Sequence, residues 1–543
     1  MNKKIIICLS LFFYFSQLTS QAQFTQQDSL RGSLNAERDW WDVVCYTIDI
    51  HPNYNSKSIE GKNEIQFLVL QPEKKMQIDL QEPMAISRVL WKNKESLPFT
   101  RNENVYYIDF PENLKVNSAQ TITIIFSGKP TIAKNPPWDG GWIFTKDKLG
   151  RPWMSVACQG LGASIWYPCK DHQSDEPDSA FINIAVPDTL VAVANGRFLG
   201  KKSYAPGETT YKWKVVNPIN NYNIIPSIGK YTTWNEVYDG ENGKLDCDYW
   251  VLDYNLEKAK QQFTQASMTL KAFEHWFGPY PFYEDGFKLV ESPHLGMEHQ
   301  SAVAYGNKYL NGYLGRDLSG TGWGLKWDFI IVHESGHEWF GNNITSKDIA
   351  DMWLHEGFTN YSETLFTDYH FGKKAGNEYC IGTRRGIRNE TTIIGNYGVN
   401  NEGSGDMYSK GGNLLHLIRQ LVGDDEKFRQ ILRGLNKTFY HQTVTTQTVE
   451  NYISKNSGIS LSKIFDQYLR TTNIPILEYK IQAGMLSYRW TNCVKDFDLP
   501  LKLESSETWI HPTQQWQEQP LTTDVEVLQI DKNFYIIAKK VAS

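Results

Sequence analysis

The sequence predicts a multidomain α+β protein, and three observations carry that expectation. The chain has 543 residues, too many for a single hydrophobic core. Its periodicity changes twice, from strand-like alternation to helical spacing and back again. No internal repeat or low-complexity linker interrupts it, so the parts are expected to pack directly on one another. Those parts are a signal peptide over 1–22, an N-terminal β-sheet domain over 23–233, a mainly helical domain over 234–474 and a small C-terminal β-sandwich-like domain over 475–543.

Residues 1–22 read as a signal peptide. Lys3 and Lys4 precede an apolar run from Ile5 to Phe15, and small and polar residues lead to a cut after Ala22. The run is too short to span a membrane, and no later stretch reaches the ~20 apolar residues required. Cys8 is followed by further apolar sequence, which argues against a lipid-bearing cysteine. The mature protein is expected to be exported through cleavage of this peptide, to the periplasm or the extracellular space, without stable membrane insertion.

From about Asp42 to Thr233 the chain alternates apolar and polar residues between turn-forming clusters, as in GKNEIQFLVL, QTITIIFSG and AFINIAVPD. From about Leu256 the spacing becomes helical, as in LEKAKQQFTQASMTLKAFEHWFG and NLLHLIRQLVGDDEKFRQILRGLNKTF. After Pro475 alternation returns, in ILEYKIQAGMLSYRW and VEVLQIDKNFYIIAKKV. The formal net charge of −6 and the lack of a long Lys/Arg block exclude nucleic acid as an expected partner. Six cysteines follow the signal peptide, widely spaced and with no CxxC, so buried free thiols are expected rather than a thiolate metal site.

The chemistry gathers at FIIVHESGHEWFGN. On a helix, His333 and His337 project from one face, close enough to hold one ion. Glu334 is rotated by about 100° from His333, beside the ion rather than on it, where a carboxylate can take a proton from water. The alternative is a polar turn with two satisfied imidazoles. Zinc catalysis needs a third protein ligand, and DIADMWLHEGFTNYSETLF reads as a second helix offering His355 or Glu356. These two lie about 100° apart on a helix, so only one can face the ion, and spacing does not separate them.

HExxH, eighteen residues, then Glu within W-L-x-E-G-F resembles the signature of the gluzincin aminopeptidases, peptidase family M1. Here the first part is His333-Glu334-Ser335-Gly336-His337 and the second Trp353-Leu354-His355-Glu356-Gly357-Phe358. His355 stands where the family usually has Asn. Upstream, His294-Leu295-Gly296-Met297-Glu298-His299 resembles the G-x-M-E-N element, with Leu295 in place of its leading glycine and His299 in place of its asparagine. CQGLGASIWYPCKD, MYSKGGNLL and IFDQYLRTTNIP are similar to further family segments, so the likeness covers nearly the whole mature chain.

The resemblance implies a thermolysin-like helical catalytic domain and three-domain members without a large helical C-terminal domain. It also implies one Zn²⁺ per chain held by His333, His337 and Glu356, with Glu334 as proton acceptor and Tyr408 as donor to the developing oxyanion. Glu298, aided by Gln159, would bind the substrate's free α-amine, and the backbone at Gly296 and Met297 would line the bound peptide. Glu363, seven residues after Glu356, either orients a ligand histidine or is an exposed helical carboxylate. The expected activity is that of an exported zinc aminopeptidase acting on peptides with a free N-terminus. Two other readings stay in view. One is epoxide hydrolysis on the same fold, for which Glu402 and Asp406 are the available acids. The other is a non-catalytic exported scaffold.

Overall fold

The computed structural model describes residues 24–92, 95–504, 508–521 and 526–542. The proposed signal peptide lies outside the described residues. The first domain is built on an eight-stranded sheet running from Arg197–Ala205 at one edge, through Trp41–Asn53 and Ser58–Val69 at its centre, to Glu95–Ser96 at the other. Alternation has its expected consequence: along Trp41–Asn53 buried and partly exposed residues take turns, slipping once at a bulge between Val43 and Cys45. A four-stranded and a three-stranded sheet complete this domain around a core that includes Trp41, Tyr46, Trp142 and Trp166.

The strand Tyr231–Gly240 runs across residue 233 and pairs with Gly243–Leu252 in the sheet of the second domain. That five-stranded sheet ends in the two-residue strand Gly296–Met297, which among the described residues pairs only with Val303–Tyr305. The helical stretch after Leu256 divides into Leu256–Gln262 and Thr264–Phe277, and Gly278, with φ 96°, ends it. Gly423 similarly separates Ser409–Val422 from Asp425–Thr438, which Asp424 caps by accepting from the backbone of Glu426 and Lys427.

The C-terminal β domain has a four-stranded sheet and a two-stranded pair. Its Leu477, Trp490 and Phe534 join the same continuous core as the helices of the second domain, so the two parts are packed without a linker. Among the described residues no helix is long and apolar enough to cross a membrane. Among the described residues five cysteines are buried and unbonded, and Cys493 is also unbonded but partly exposed.

Candidate active site

Asp328 starts the helix Phe329–Gly336 by accepting from the backbone of Ile330 and Ile331. Its other bonds, from Tyr305, Asn307 and Gln262, fix that cap to the sheet and a neighbouring helix. The helix is shorter than its apolar lead-in implies, yet His337, at its cap, keeps a helical backbone with φ −63° and ψ −20°. Both imidazoles therefore still emerge on one side, with ring centroids 5.1 Å apart.

The second helix, Trp353–Phe371, supplies the third donor. Glu356 Oε2 lies 3.7 Å from His333 Nε2 and 3.3 Å from His337 Nε2. The outer nitrogens are already engaged: His333 Nδ1 meets Glu363 Oε1 at 2.7 Å, and His337 Nδ1 meets the Phe340 carbonyl at 3.0 Å. Each acceptor calls for a proton on Nδ1, which leaves an Nε2 lone pair facing inward on each ring. Glu356 Oε2 is buried and has no hydrogen-bond partner. Two inward imidazole nitrogens and an unpartnered carboxylate oxygen form the N₂O donor set that zinc accepts, with room for a further ligand.

His355 does not compete. Its Nε2 accepts from the Ser346 backbone at 2.8 Å, and burial pushes the ring down to about 3. Glu334 also brings a carboxylate oxygen within 4.8 Å of the donor atoms of both histidines. Its Oε1, however, borders Gly296 on the cleft wall, where a Cβ would stand only 2.7 Å away. Glu356 thus lies between the two imidazoles, and Glu334 lies along the cleft wall. Burial lifts Glu334 to about 7 against the pull of His333 and His337. A dication nearby favours its carboxylate form. Burial alone would raise Glu356 too, but the adjacent imidazoles when protonated, His337 foremost, hold it well below the usual range.

Glu363 is buried, and besides His333 it accepts from the Tyr379 hydroxyl at 2.6 Å, so it is not an exposed helical carboxylate. Tyr408 reaches the site through a close helix crossing: a Cβ on Gly357 would meet the Met407 carbonyl at 3.1 Å and Gly411 Cα at 3.3 Å. The Tyr408 ring stacks near His333 at 6.1 Å and is partly exposed. Burial, then the carboxylates of Glu356, Glu298 and Glu402, keep its hydroxyl protonated far above neutral pH.

Across the cleft, Gln159 Nε2 donates to Glu298 Oε1 at 2.7 Å and Tyr222 donates to the same oxygen at 2.9 Å. Among the described residues no hydrogen bond engages Glu298 Oε2. Sequence reasoning missed Tyr222, which sits in NPINNYNIIPS with no pattern to mark it. Gly296, Met297, Glu298, Glu334 and Tyr408 all line a cleft of about 620 Å³. Asp406 does not line it and instead accepts from the backbone of Arg388 and Asn389.

A two-helix HExxH centre on this α+β frame defines the class of zinc-dependent metallopeptidases. Two family models match the chain, the peptidase M1 N-terminal domain over residues 43–222 and the peptidase family M1 domain over residues 261–468. The chain belongs to peptidase family M1. It is 23% identical over 331 residues to leukotriene A-4 hydrolase of Xenopus laevis, covering 58% of this chain and 51% of that protein. It is 24% identical over 361 residues to aminopeptidase B of Mus musculus, covering 62% and 52%. The chain thus spans about half the length of these curated relatives. Among solved structures, an M1 zinc metallopeptidase from Deinococcus radiodurans, a mutant bound to a Tyr-Ser-Ala substrate, superposes with a TM-score of 0.66 at 19% identity, covering 80% of this chain and 95% of that one. The same enzyme without the mutation gives a TM-score of 0.64 at 20% identity, covering 77% and 91%. These likenesses show the fold.

Proposed function

We propose that this protein is an exported zinc aminopeptidase that removes the N-terminal residue from peptides. The observation that carries the reading is a pairing: the Glu298 carboxylate lines the same cleft as the His333–His337–Glu356 donor set. Zinc, when bound, supplies Lewis acidity toward an attacking water and toward the substrate carbonyl. Glu334 takes the proton of that water and passes it to the departing amine. Tyr408, protonated at neutral pH, donates to the oxygen on which negative charge develops.

Glu298 counts from the chain end. Its Oε1 is held by Gln159 and Tyr222, so Oε2 is the atom left to accept from a substrate ammonium. An internal peptide bond brings no cation and would leave a desolvated carboxylate unpaired, at a cost of about several kcal/mol. The strand Gly296–Met297 is the edge of its sheet and lines the cleft, which suits it to pair with an extended peptide. Export rests on the character of residues 1–22. Zinc-loaded protein is expected to hydrolyse amino-acid p-nitroanilides and to spare their N-acetylated counterparts. Equal rates on both would overturn the aminopeptidase reading.

A further inference from the structure

The zinc donors and the amine anchor belong to different elements, yet an aminopeptidase needs them at a fixed separation. His333 and His337 lie on the helix Phe329–Gly336 and its cap, whereas Glu298 follows the edge strand Gly296–Met297. Removal of one residue requires the ammonium and the scissile carbonyl to reach their partners together. A misplacement of about 1 Å can cost about 100-fold in rate. The turn that ends the zinc helix joins the two elements.

That turn is wide. The backbones of Asn342 and Asn343 donate to the carbonyls of His337 and Glu338, five residues back, at 3.0 and 3.1 Å. Gly341, with φ 129°, carries the chain close to His337, and a Cβ there would stand 3.1 Å from Nδ1. The turn delivers the Asn342 side chain to the anchor segment, where Nδ2 donates to the Glu298 carbonyl at 2.8 Å. Its Oδ1 accepts from Asn223 Nδ2 of the N-terminal domain at 2.7 Å. A carbonyl only accepts, so the amide has to present Nδ2 to Glu298 and Oδ1 to Asn223. Glu338 Oε1 accepts from the Ser301 backbone at 2.8 Å, which ties the anchor segment to the helix end at a second point. Asn342 and Asn223 are both buried. One side chain thus spans the gap, with its backbone on the carbonyl of a zinc donor and its amide on the carbonyl of the anchor.

We propose that Asn342 is a positioning residue: it sets the spacing between the metal donors and the carboxylate that receives the substrate amine, and so selects an α-amine over a displaced one. This deepens the aminopeptidase reading and rests on it. Asn342 does not line the cleft; it acts through His337 and Glu298.

L-Alanine and β-alanine p-nitroanilides are isomers whose amines differ in place by one carbon. Zinc-loaded wild type is expected to favour the α-isomer in kcat/KM by about 100-fold, and Asn342→Ala to reduce that ratio about tenfold. Partial unfolding lowers both rates alike and leaves the ratio unmoved. Asn223→Ala, which removes only the grip on Asn342 Oδ1, is expected to shift the ratio in the same direction by about two- to threefold, and it decides the matter if Asn342→Ala does not fold. A second measurement needs no turnover: calorimetry of L-leucine hydroxamate, which presents a metal-binding group and an α-amine at once, against its des-amino counterpart. The amine is expected to raise affinity at least about tenfold in zinc-loaded wild type and about threefold or less in Asn342→Ala. An isomer ratio or an amine gain that the substitution leaves in place would overturn the proposal and spare the aminopeptidase reading. No amine gain in wild type would overturn both. If wild type cleaves neither amide, the aminopeptidase reading fails, and the hydroxamate gain still decides whether Asn342 spaces the anchor from the metal.

Discussion

Glu363 grips His333 from behind: its Oε1 meets Nδ1 at 2.7 Å, while Nε2 of the same ring looks toward Glu356 at 3.7 Å. The contact fixes both tautomer and ring direction before any ion arrives. Glu363→Gln is therefore expected to weaken zinc affinity about 10- to 100-fold. Competition with a chromogenic chelator measures this, and an unchanged affinity contradicts the role.

Glu334 lies in the cleft beside the donor set. Glu334→Gln is expected to bind zinc as wild type does and to lose about two to four orders of magnitude in kcat. Steady-state rates with parallel metal analysis decide it, and near-normal turnover contradicts the assignment.

Tyr408 brings a protonated hydroxyl to the cleft. Tyr408→Phe is expected to lower kcat and leave KM nearly unchanged, because its hydrogen bond strengthens only as negative charge develops. A raised KM at constant kcat would make it a substrate-binding residue instead.

Gly357 lets two helices approach, with the Met407 carbonyl 3.1 Å from where a Cβ would stand. Gly357→Ala is expected to cost about 1–3 kcal/mol by overpacking. A urea midpoint at or above that of wild type contradicts the close-approach argument.

His416 ties a catalytic helix to the C-terminal domain through Asn533 Oδ1 at 2.9 Å, and burial pushes its ring down to about 3. Between about pH 6.5 and 3 the unfolded chain binds a proton at this residue that the folded chain refuses. Stability is thus complete above pH 6.5 and declines as the pH falls, by at most about 1.4 kcal/mol per pH unit from this residue. Urea midpoints at pH 7, 6 and 5 are expected to fall less steeply in His416→Gln. Identical slopes contradict it.

The common face of His333 and His337 was legible because a spacing of four fixes it whatever surrounds the helix. Glu356 was not separable from His355 by spacing; what separates them is the Ser346 backbone bond that turns His355 away. Glu363 could be placed on the right face, but its partner came from the crossing of two helices. Tyr222 was invisible, since its bond to Glu298 arises only where the N-terminal domain meets the segment that follows Gly296–Met297. Alternation located the sheets, yet not the break at Phe263, where helical φ and ψ persist on both sides.

Anomalous diffraction at the zinc edge tests the three-donor centre most directly. The predicted result is a single peak bonded by His333 Nε2, His337 Nε2 and Glu356 at about 2.0–2.2 Å. No peak in crystals of active protein, or a peak bonded by His355 in place of Glu356, would contradict it.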